Sequence, residues 1–295
     1  MSEKLICGIG EILWDQFPDM KRPGGAPSNV IYHTTKLGVE SRLISRVGDD
    51  KNGLEIVNYL NQKGVNTEFI QLDKRHETGR VDVTFDKKNE PRYNIIKPVA
   101  WDYIEKNKLL VKVAKNSDAI VFGTLAQRMP ASAETIQWFL EQSSADTLKV
   151  LDVNFRSPYI YEEIVKKSLL LADVVKINHE EHASLKKMLK ASDLESVLFS
   201  EFGISGICIT KGLDGSEWIS KEDQFKQPVY KAKTAKGDSV GLGDGFTAVL
   251  TVELVKHGDA VVAMDRASRY TALLAGRRGG MPELSEKEIE QVFTN

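Results

Sequence analysis

Four glycines and two aspartates fall within residues 236–246, KGDSVGLGDGF, just ahead of the apolar run TAVLTVELVKHG. Gly241 and Gly243 permit positive φ and a close approach of backbone to a ligand. A helix opening near Asp244 would carry Phe246, Val249, Leu250 and Leu254 on one stripe, with Lys256 and His257 near its end. Its unsatisfied first-turn N–H groups would point back at the glycine loop and make an anion site. A carboxylate at that position is favoured by the helix dipole, but it repels a bound phosphate. One chemistry reconciles the two. The N–H groups hold a phosphoryl group in transit, and Asp244 takes the proton from the attacking hydroxyl.

Two other readings compete. Gly241-x-Gly243, a helix, the run DAVVAM and Asp265 about twenty residues on imitate a dinucleotide fingerprint. However, the preceding YKAKTAKGDSV is not the apolar strand that motif requires, and the chain after Asp265 is short for the rest of a cofactor domain. Alternatively, Asp244 is a plain N-cap on a structural helix, which is common.

The elements that must position these residues are legible along the chain. Its 295 residues, 41% hydrophobic and 28% charged, suit one large globular domain or two small ones. Forty Lys+Arg against 42 Asp+Glu leave a net charge of −2, with no global field for nucleic acid or an anionic membrane. The start, MSEKLICGIGEILWD, is too short and interrupted for a signal peptide, and no apolar run approaches the ~20 residues of a membrane span. Cys7 and Cys208 lie in apolar runs and read as buried strand thiols, which fits a reducing cytoplasm. HEEH, with His179 and His182 three apart, lacks zinc-site spacing and reads as a solvated helix start.

Strand-like KLICGIGEIL, SRLISRVG, SDAIVFGTL, TLKVLDVNF, DVVKIN and ISGICIT alternate with helix-like APSNVIYHTTKLG, NGLEIVNYLNQKG, SAETIQWFLEQS, YEEIVKKSLLLA, HEEHASLKKMLK and DLESVLFSEFG. That alternation predicts a parallel sheet covered on both faces, with ligands at the carboxyl ends of its strands. One stretch breaks the rhythm. GRVDVTFDKKNEPRYNII sets Val81, Val83 and Phe85 against Arg80, Asp82 and Thr84, with a polar turn, KKNE, between its halves. It predicts a half-exposed hairpin, either a lid that excludes water or a surface decoration.

DSVGLGDGF resembles the D-T-x-G-A-G-D signature of the PfkB, or ribokinase-like, sugar kinases. RPGGAPSNV is similar to that family's G-G-x-x-x-N element and GEILWD to the strand end carrying its sugar-binding aspartate. SRVGDDKNG, DVNFR, INHEE and ITKGLDGS resemble its V-G-x-D-x-x-G, D-x-N-x-R, N-x-x-E and T-x-G-x-x-G stretches. These motifs come in family order from residue 10 to about 280, and together they favour the catalytic reading of Asp244. Leu242, Gly245 and Ser239 depart from the signature without removing a group the chemistry needs.

The resemblance implies one ribokinase-like three-layer α/β/α domain over residues 1–295. It would have a central, mostly parallel sheet and a β lid inserted at about 15–25 and 79–98. Asp244 would be the general base, and the N–H groups of Gly241, Leu242 and Gly243 an anion hole. Asp15, Gly25 and Asn29 would hold sugar hydroxyls, with Arg92 and Arg156 near the sugar or the transferred phosphate. Asn178 and Glu181 would sit at the Mg·ATP phosphates, Glu181 through metal-bound water; both also fit a helix cap. Thr210, Gly212 and Gly215 would line the nucleotide, and Lys211 would reach a phosphate or be solvated. Asp238 and the Val240 carbonyl match positions that bind a monovalent cation, K⁺, in relatives.

GGAPSNV with DVNFR resembles fructokinases more than ribokinases. The sugar-side motifs bring no extra basic residues for a second phosphate, apart from Lys21 and Arg22 just upstream. D-fructose phosphorylated at O6 is therefore the first expectation. 2-Keto-3-deoxygluconate, another neutral sugar or a nucleoside is the alternative, and a non-catalytic sugar or nucleotide sensor is a third reading. The lid would pair with a second copy to give a two-fold homodimer.

Overall fold

The computed structural model describes residues 4–85, 91–232 and 237–294, apart from the side chains of Phe85 and Pro91. The whole of the expected turn KKNE and Lys236 at the head of the glycine loop lie outside the described residues. Thirteen strands are described: β1 (Leu5–Ile9), β2 (Leu13–Gln16), β3 (Lys21–Gly24), β4 (Glu40–Gly48), β5 (Ile70–Asp73), β6 (Arg80–Phe85), β7 (Pro91–Ile95), β8 (Ala119–Gly123), β9 (Leu148–Asp152), β10 (Val174–Asn178), β11 (Gly206–Thr210), β12 (Ser216–Ser220) and β13 (Gln224–Gln227). Nine form one sheet in the order β13-β12-β11-β10-β9-β8-β1-β4-β5, and β3-β2-β6-β7 form a smaller one. From β11 to β5 every pairing in the large sheet is parallel.

Both faces of the large sheet are covered, as parallel pairing requires. Helices α1 (Ala26–Lys36), α2 (Lys51–Gln62), α8 (Leu242–His257), α9 (Ala260–Leu274) and α10 (Glu286–Phe293) build one apolar layer. Helices α3 (Lys108–Asn116), α4 (Pro130–Glu141), α5 (Glu162–Leu171), α6 (His179–Met188) and α7 (Leu194–Glu201) build the other. Alternate strand residues feed alternate layers: Ile120 and Phe122 enter one, Ala119 and Val121 the other. This is the three-layer α/β/α arrangement. No described helix is long and apolar enough to cross a membrane. Cys7 and Cys208 are free and buried, and burial pushes both thiols up to about 12.

Three departures from the sequence expectation have physical causes. KLICGIGEIL is not one strand. It breaks at Gly10, whose φ of 151° lies where L side chains are strained, and a Cβ there would meet Pro27 at 2.8 Å. The break sends β1 into the large sheet and β2, with Asp15, into the small one. Two antiparallel strands at one end of the sheet, β12 and the edge strand β13, were hidden by their short, polar sequences SEWIS and QFKQ. Finally, α8 has no single apolar stripe: every residue from Gly245 to Glu253 is buried, because the helix runs between α1, α9 and the sheet.

The expected hairpin is β6–β7, and β2 adds to it in parallel. Cross-strand partners share a face, so Asp15, Val81 and Ile95 point one way. Leu13, Val81, Val83 and Ile95 on that face join the apolar layer of the main body. The chain thus covers Val81 and Val83 by itself, with no second copy needed for them, while the Phe85 side chain of the same expected face lies outside the described residues. The base of the hairpin is fixed as well. Arg128 and Asp102, with fully buried side chains, pair at 2.8 Å. The Arg128 guanidinium also donates to the Ile96 carbonyl and lies against the Trp101 and Tyr159 rings.

Candidate active site

Asp244 occupies the first turn of α8, yet it does not cap that helix. The cap is Gly241, in the left-handed region at φ 75°, with no side-chain hydrogen bond to the turn. A Cβ on Gly241 would come within 2.5 Å of the Gly280 Cα, so two backbones touch there. The Asp244 carboxylate instead accepts a 2.7 Å hydrogen bond from the Asn29 amide of α1. This excludes the N-cap reading. The dinucleotide reading fails too, because among the described residues no strand leads into the glycine loop and Asp265 lies on α9, bound by Tyr230 and Arg269. With α8 starting at Leu242, helix geometry leaves the N–H groups of Gly243 and Asp244 as the loop's outward donors, while the Leu242 N–H makes a long 3.5 Å bond to the Ser239 carbonyl and Gly241 sets the turn.

The sugar-side candidates converge from β2, α1 and the loop after β9. Gly25 caps α1 at φ 104°, and the Glu11 carboxylate completes the cap by accepting from the Ala26 N–H at 3.1 Å. Asn29, one turn in, is buried, and its Oδ1 has no partner among the described residues. Asp15 stands on β2 with its carboxylate over Gly24. Arg156 is exposed, with one N–H on the Phe155 carbonyl, and its charge reaches Glu11, Asp15 and Asp244 together.

Burial raises all three of those carboxyls. Glu11 is pushed to about 7 by desolvation, with Asp244 adding to the rise. Asp15 reaches about 6 by desolvation, opposed by Arg156 and Arg22. Asp244 also reaches about 6, raised by burial and by Asp152 and held down by Asn29, Lys176 and Arg156. A base poised near neutrality suits proton abstraction at physiological pH.

Arg92 is not brought to this site. Its partner across the ladder is Thr84, in the alternate set to Val81 and Val83, so it stands on the opposite face of the small sheet from Asp15. Asp238 is near the site, but its carboxylate is already held from inside the chain. It accepts from the Val240 and Gly279 N–H groups at 3.1 and 3.0 Å and pairs with Arg22 Nη1 at 3.1 Å. The cation beside Asp238 in this structure is a guanidinium from β3, so the residues do not match a carboxylate left open for K⁺.

On the nucleotide side, Asn178 and Thr210 are direct partners at the carboxyl ends of β10 and β11. Asn178 and Glu181 form a reciprocal cap on α6: Asn178 Oδ1 accepts from the Glu181 N–H at 2.9 Å, and Glu181 Oε2 from the Asn178 N–H at 2.8 Å. Glu181 Oε1 accepts from the Phe155 N–H at 3.0 Å, tying α6 to the loop that carries Arg156. Both residues therefore serve the cap first. Gly212 and Gly215 bend the β11–β12 turn at φ 58° and 84°. Lys211 pairs with Glu217 and lines a cavity of about 450 Å³ with His179, His182 and Glu195.

Two acids inside quoted motifs, Asp152 of DVNFR and Glu11 of GEILWD, received no role from the sequence, and Lys176 lies in no motif. Asp152 ends β9 and Lys176 lies directly beside it on β10; both side chains are buried and their charged ends are 3.1 Å apart. Thr247 of α8 donates to Asp152 at 2.8 Å. With Glu11 they form the charged floor under Asp244. The DVNFR motif already held Asp152, and for Lys176 the single charge inside the apolar run VVKI was the available signal.

Comparison with known proteins shows the family and agrees with the fold. Residues 16–287 match the model of the pfkB family carbohydrate kinases. The chain is 29% identical over 297 residues to the sugar kinase PH1459 of Pyrococcus horikoshii, covering 94% of this chain and 91% of that one. The crystal structure of that protein, described as an uncharacterized sugar kinase, superposes with a TM-score of 0.84 over 99% of this chain and 100% of its own, and it has also been solved in complex with ATP. Fructokinase-2 of Oryza sativa subsp. japonica is 26% identical over 314 residues, 97% of this chain and 93% of its own. A Vibrio cholerae fructokinase double mutant with fructose, ADP and potassium ion bound shares the fold at 23% identity and a TM-score of 0.80, with 95% and 94% coverage. An aspartate on the glycine-capped helix, facing buried acids at the carboxyl ends of a parallel sheet, is thus set in a chain that belongs to the pfkB family of carbohydrate kinases.

Proposed function

We propose that the protein transfers the γ-phosphoryl group of ATP to a hydroxyl of a free hexose, with D-fructose O6 as the acceptor. The observation that carries this reading is Asp244, held by Asn29 at the mouth of the α8 N-terminus and bordered by carboxyls raised towards neutrality. Asp244 takes the proton of the acceptor hydroxyl as that oxygen bonds to the γ-phosphorus. The bond to the β-phosphate oxygen breaks, and ADP leaves with the electron pair. The first-turn N–H groups of α8 hold the transferring oxygens without reorganising. Asp15 and Arg156 bind and orient the sugar, and the small sheet excludes water.

Mg²⁺, when bound with the nucleotide, neutralises and orients the triphosphate. Among the described residues no cluster of three acidic, histidine or cysteine ligands forms a cage for it. This fits an ion held by phosphate oxygens and water plus one carboxylate. Glu181 fits that carboxylate, because each of its oxygens keeps a lone pair beyond its backbone hydrogen bond.

The choice of an unphosphorylated sugar has its own support. Lys21 and Arg22, the basic residues nearest the sugar-side motifs, are both engaged. Lys21 pairs with Asn52 and Glu55 of α2, and Arg22 with Asp238. The likeness to the rice fructokinase along nearly the whole chain favours fructose among free hexoses. The Arg156 charge acting on Asp15 and Asp244 favours 2-keto-3-deoxygluconate, a carboxylate sugar, as the second reading. A coupled ADP-release assay over free sugars, phosphosugars and nucleosides tests the proposal. Turnover with fructose and not with fructose 6-phosphate is expected. Turnover only with a phosphosugar or nucleoside overturns the substrate, and binding without ADP release makes the protein a sensor.

A further inference from the structure

The Lys176–Asp152 pair has no part in the fold that an apolar pair could not supply. It joins adjacent strands already held by ladder hydrogen bonds, and both side chains are under 9% exposed. Such pairs are poor stabilisers, since desolvation consumes most of their attraction and apolar replacements are often neutral. Their position is more telling. A Cβ on Gly243 would sit 3.0 Å from Lys176 Nζ, so the ammonium abuts the anion loop from below. On the other side, Thr247 donates to Asp152 and also meets the Gly243 carbonyl at 2.9 Å. One residue of the pair touches the floor of the loop, and the other is tied to the helix turn that carries Asp244.

We propose that Lys176 and Asp152 are positioning residues for Asp244, with Lys176 keeping its carboxylate ionised beneath the anion loop and Asp152 working in the opposite sense. This rests on Asp244 being the general base. The pair answers a difficulty in that role. A phosphate arriving beside Asp244 drives the carboxylate to take up a proton before it can accept one from the sugar, and a fixed buried ammonium opposes this. Among the described residues the groups facing Asp244 act with definite signs: Asp152 on β9 and Glu11 before β2 favour protonation, Lys176 on β10 and Arg156 after β9 favour the ion, and the neutral Asn29 amide on α1 favours it by hydrogen bonding. Lys176 is itself suited to the task. Burial works to lower its proton affinity, but Asp152, Glu181 and Asp244 together hold it above the usual lysine range, so it stays charged.

The test follows the Asp244 carboxyl directly, by carbon-13 NMR of the protein labelled at aspartate Cγ. It is titrated without substrate, and Asp244→Asn assigns the signal. Lys176→Met is expected to raise the Asp244 midpoint by about one pH unit or more, and Asp152→Asn to lower it comparably. Should Lys176→Met fail to fold with Asp152 left unpaired, the double variant Lys176→Met/Asp152→Asn is compared with Asp152→Asn alone, and its midpoint must lie higher. Shifts of the same sign, or none, overturn the proposal. Because this readout needs no turnover, it is separate from the activity of Asp244→Asn, which tests the base itself.

Discussion

Asn29 and Asp244, 215 residues apart in the chain, are joined by a 2.7 Å hydrogen bond between the amide of α1 and the carboxylate of α8. The bond is braced on its far side, since a Cβ on Gly280 would press into the Asn29 amide at 2.7–2.9 Å. Asn29 therefore fixes the orientation of the Asp244 carboxylate.

Asp244→Asn should lower kcat by about 10²–10⁴-fold with fructose and ATP affinities near those of the parent. Steady-state kinetics and calorimetric binding check this. Retention of more than about a tenth of the activity removes Asp244 from the base role. In the parent, kcat/KM should rise with pH through about 6, because the base acts only when ionised and its proton is lost there.

Asp15→Ala should weaken fructose far more than ATP, by roughly ten- to 150-fold, the cost of a lost hydrogen bond to a charged group. Asn29→Ala should behave differently and reduce kcat as well. It should also move the acidic limb to higher pH, since the Asn29 amide favours the ionised form of Asp244. Equal effects of Asp15→Ala on both substrates would make that residue structural.

Arg22→Ala should make turnover more dependent on potassium than it is in the parent. Arg22 lies 3.1 Å from the Asp238 carboxylate and supplies the positive charge there. The measurement compares potassium with tetramethylammonium in both proteins. A parent as potassium-dependent as the variant shows that the guanidinium does not replace the ion.

Glu11→Gln should raise the melting temperature at pH 8 and leave it nearly unchanged at pH 4. The Glu11 carboxyl is raised from 4.5 to about 7, so between those values the folded chain holds a proton that the unfolded chain has released. Its contribution to stability is complete below about 4.5 and is lost as pH rises through about 7. Removing the charge at pH 8 lifts that penalty by an expected few degrees, each 1 kcal/mol shifting a chain of this size by about 2–4 °C or less. An equal gain at both pH values would assign the effect to packing.

Amide exchange over residues 80–85 and 91–96 should slow when fructose is added, while β8 and β9 stay unchanged. The Arg128–Asp102 pair fixes the base of the hairpin, so protection is expected to be largest in β6 and the exposed part of β7. Absence of sugar-dependent protection there leaves the small sheet as a static wall.

The sequence alone determined the alternation of strands and helices, the β6–β7 hairpin and the glycine loop, and it singled out Asp244 within that loop. Each rests on local physics: apolar runs, period-2 alternation, and glycines where a backbone must turn or touch. Tertiary structure decided what those groups do to one another. Asp152 and Lys176 are neighbours only because β9 and β10 pair in one register, and Asn29 meets Asp244 only because α1 packs on α8. Arg22 reaches Asp238 because β3 folds over the loop, and Arg92 is turned from the pocket because strand register sends alternate residues to opposite faces. Motif spacing carries none of this, since a charge acts through space and its distance to another charge is set by how the layers stack.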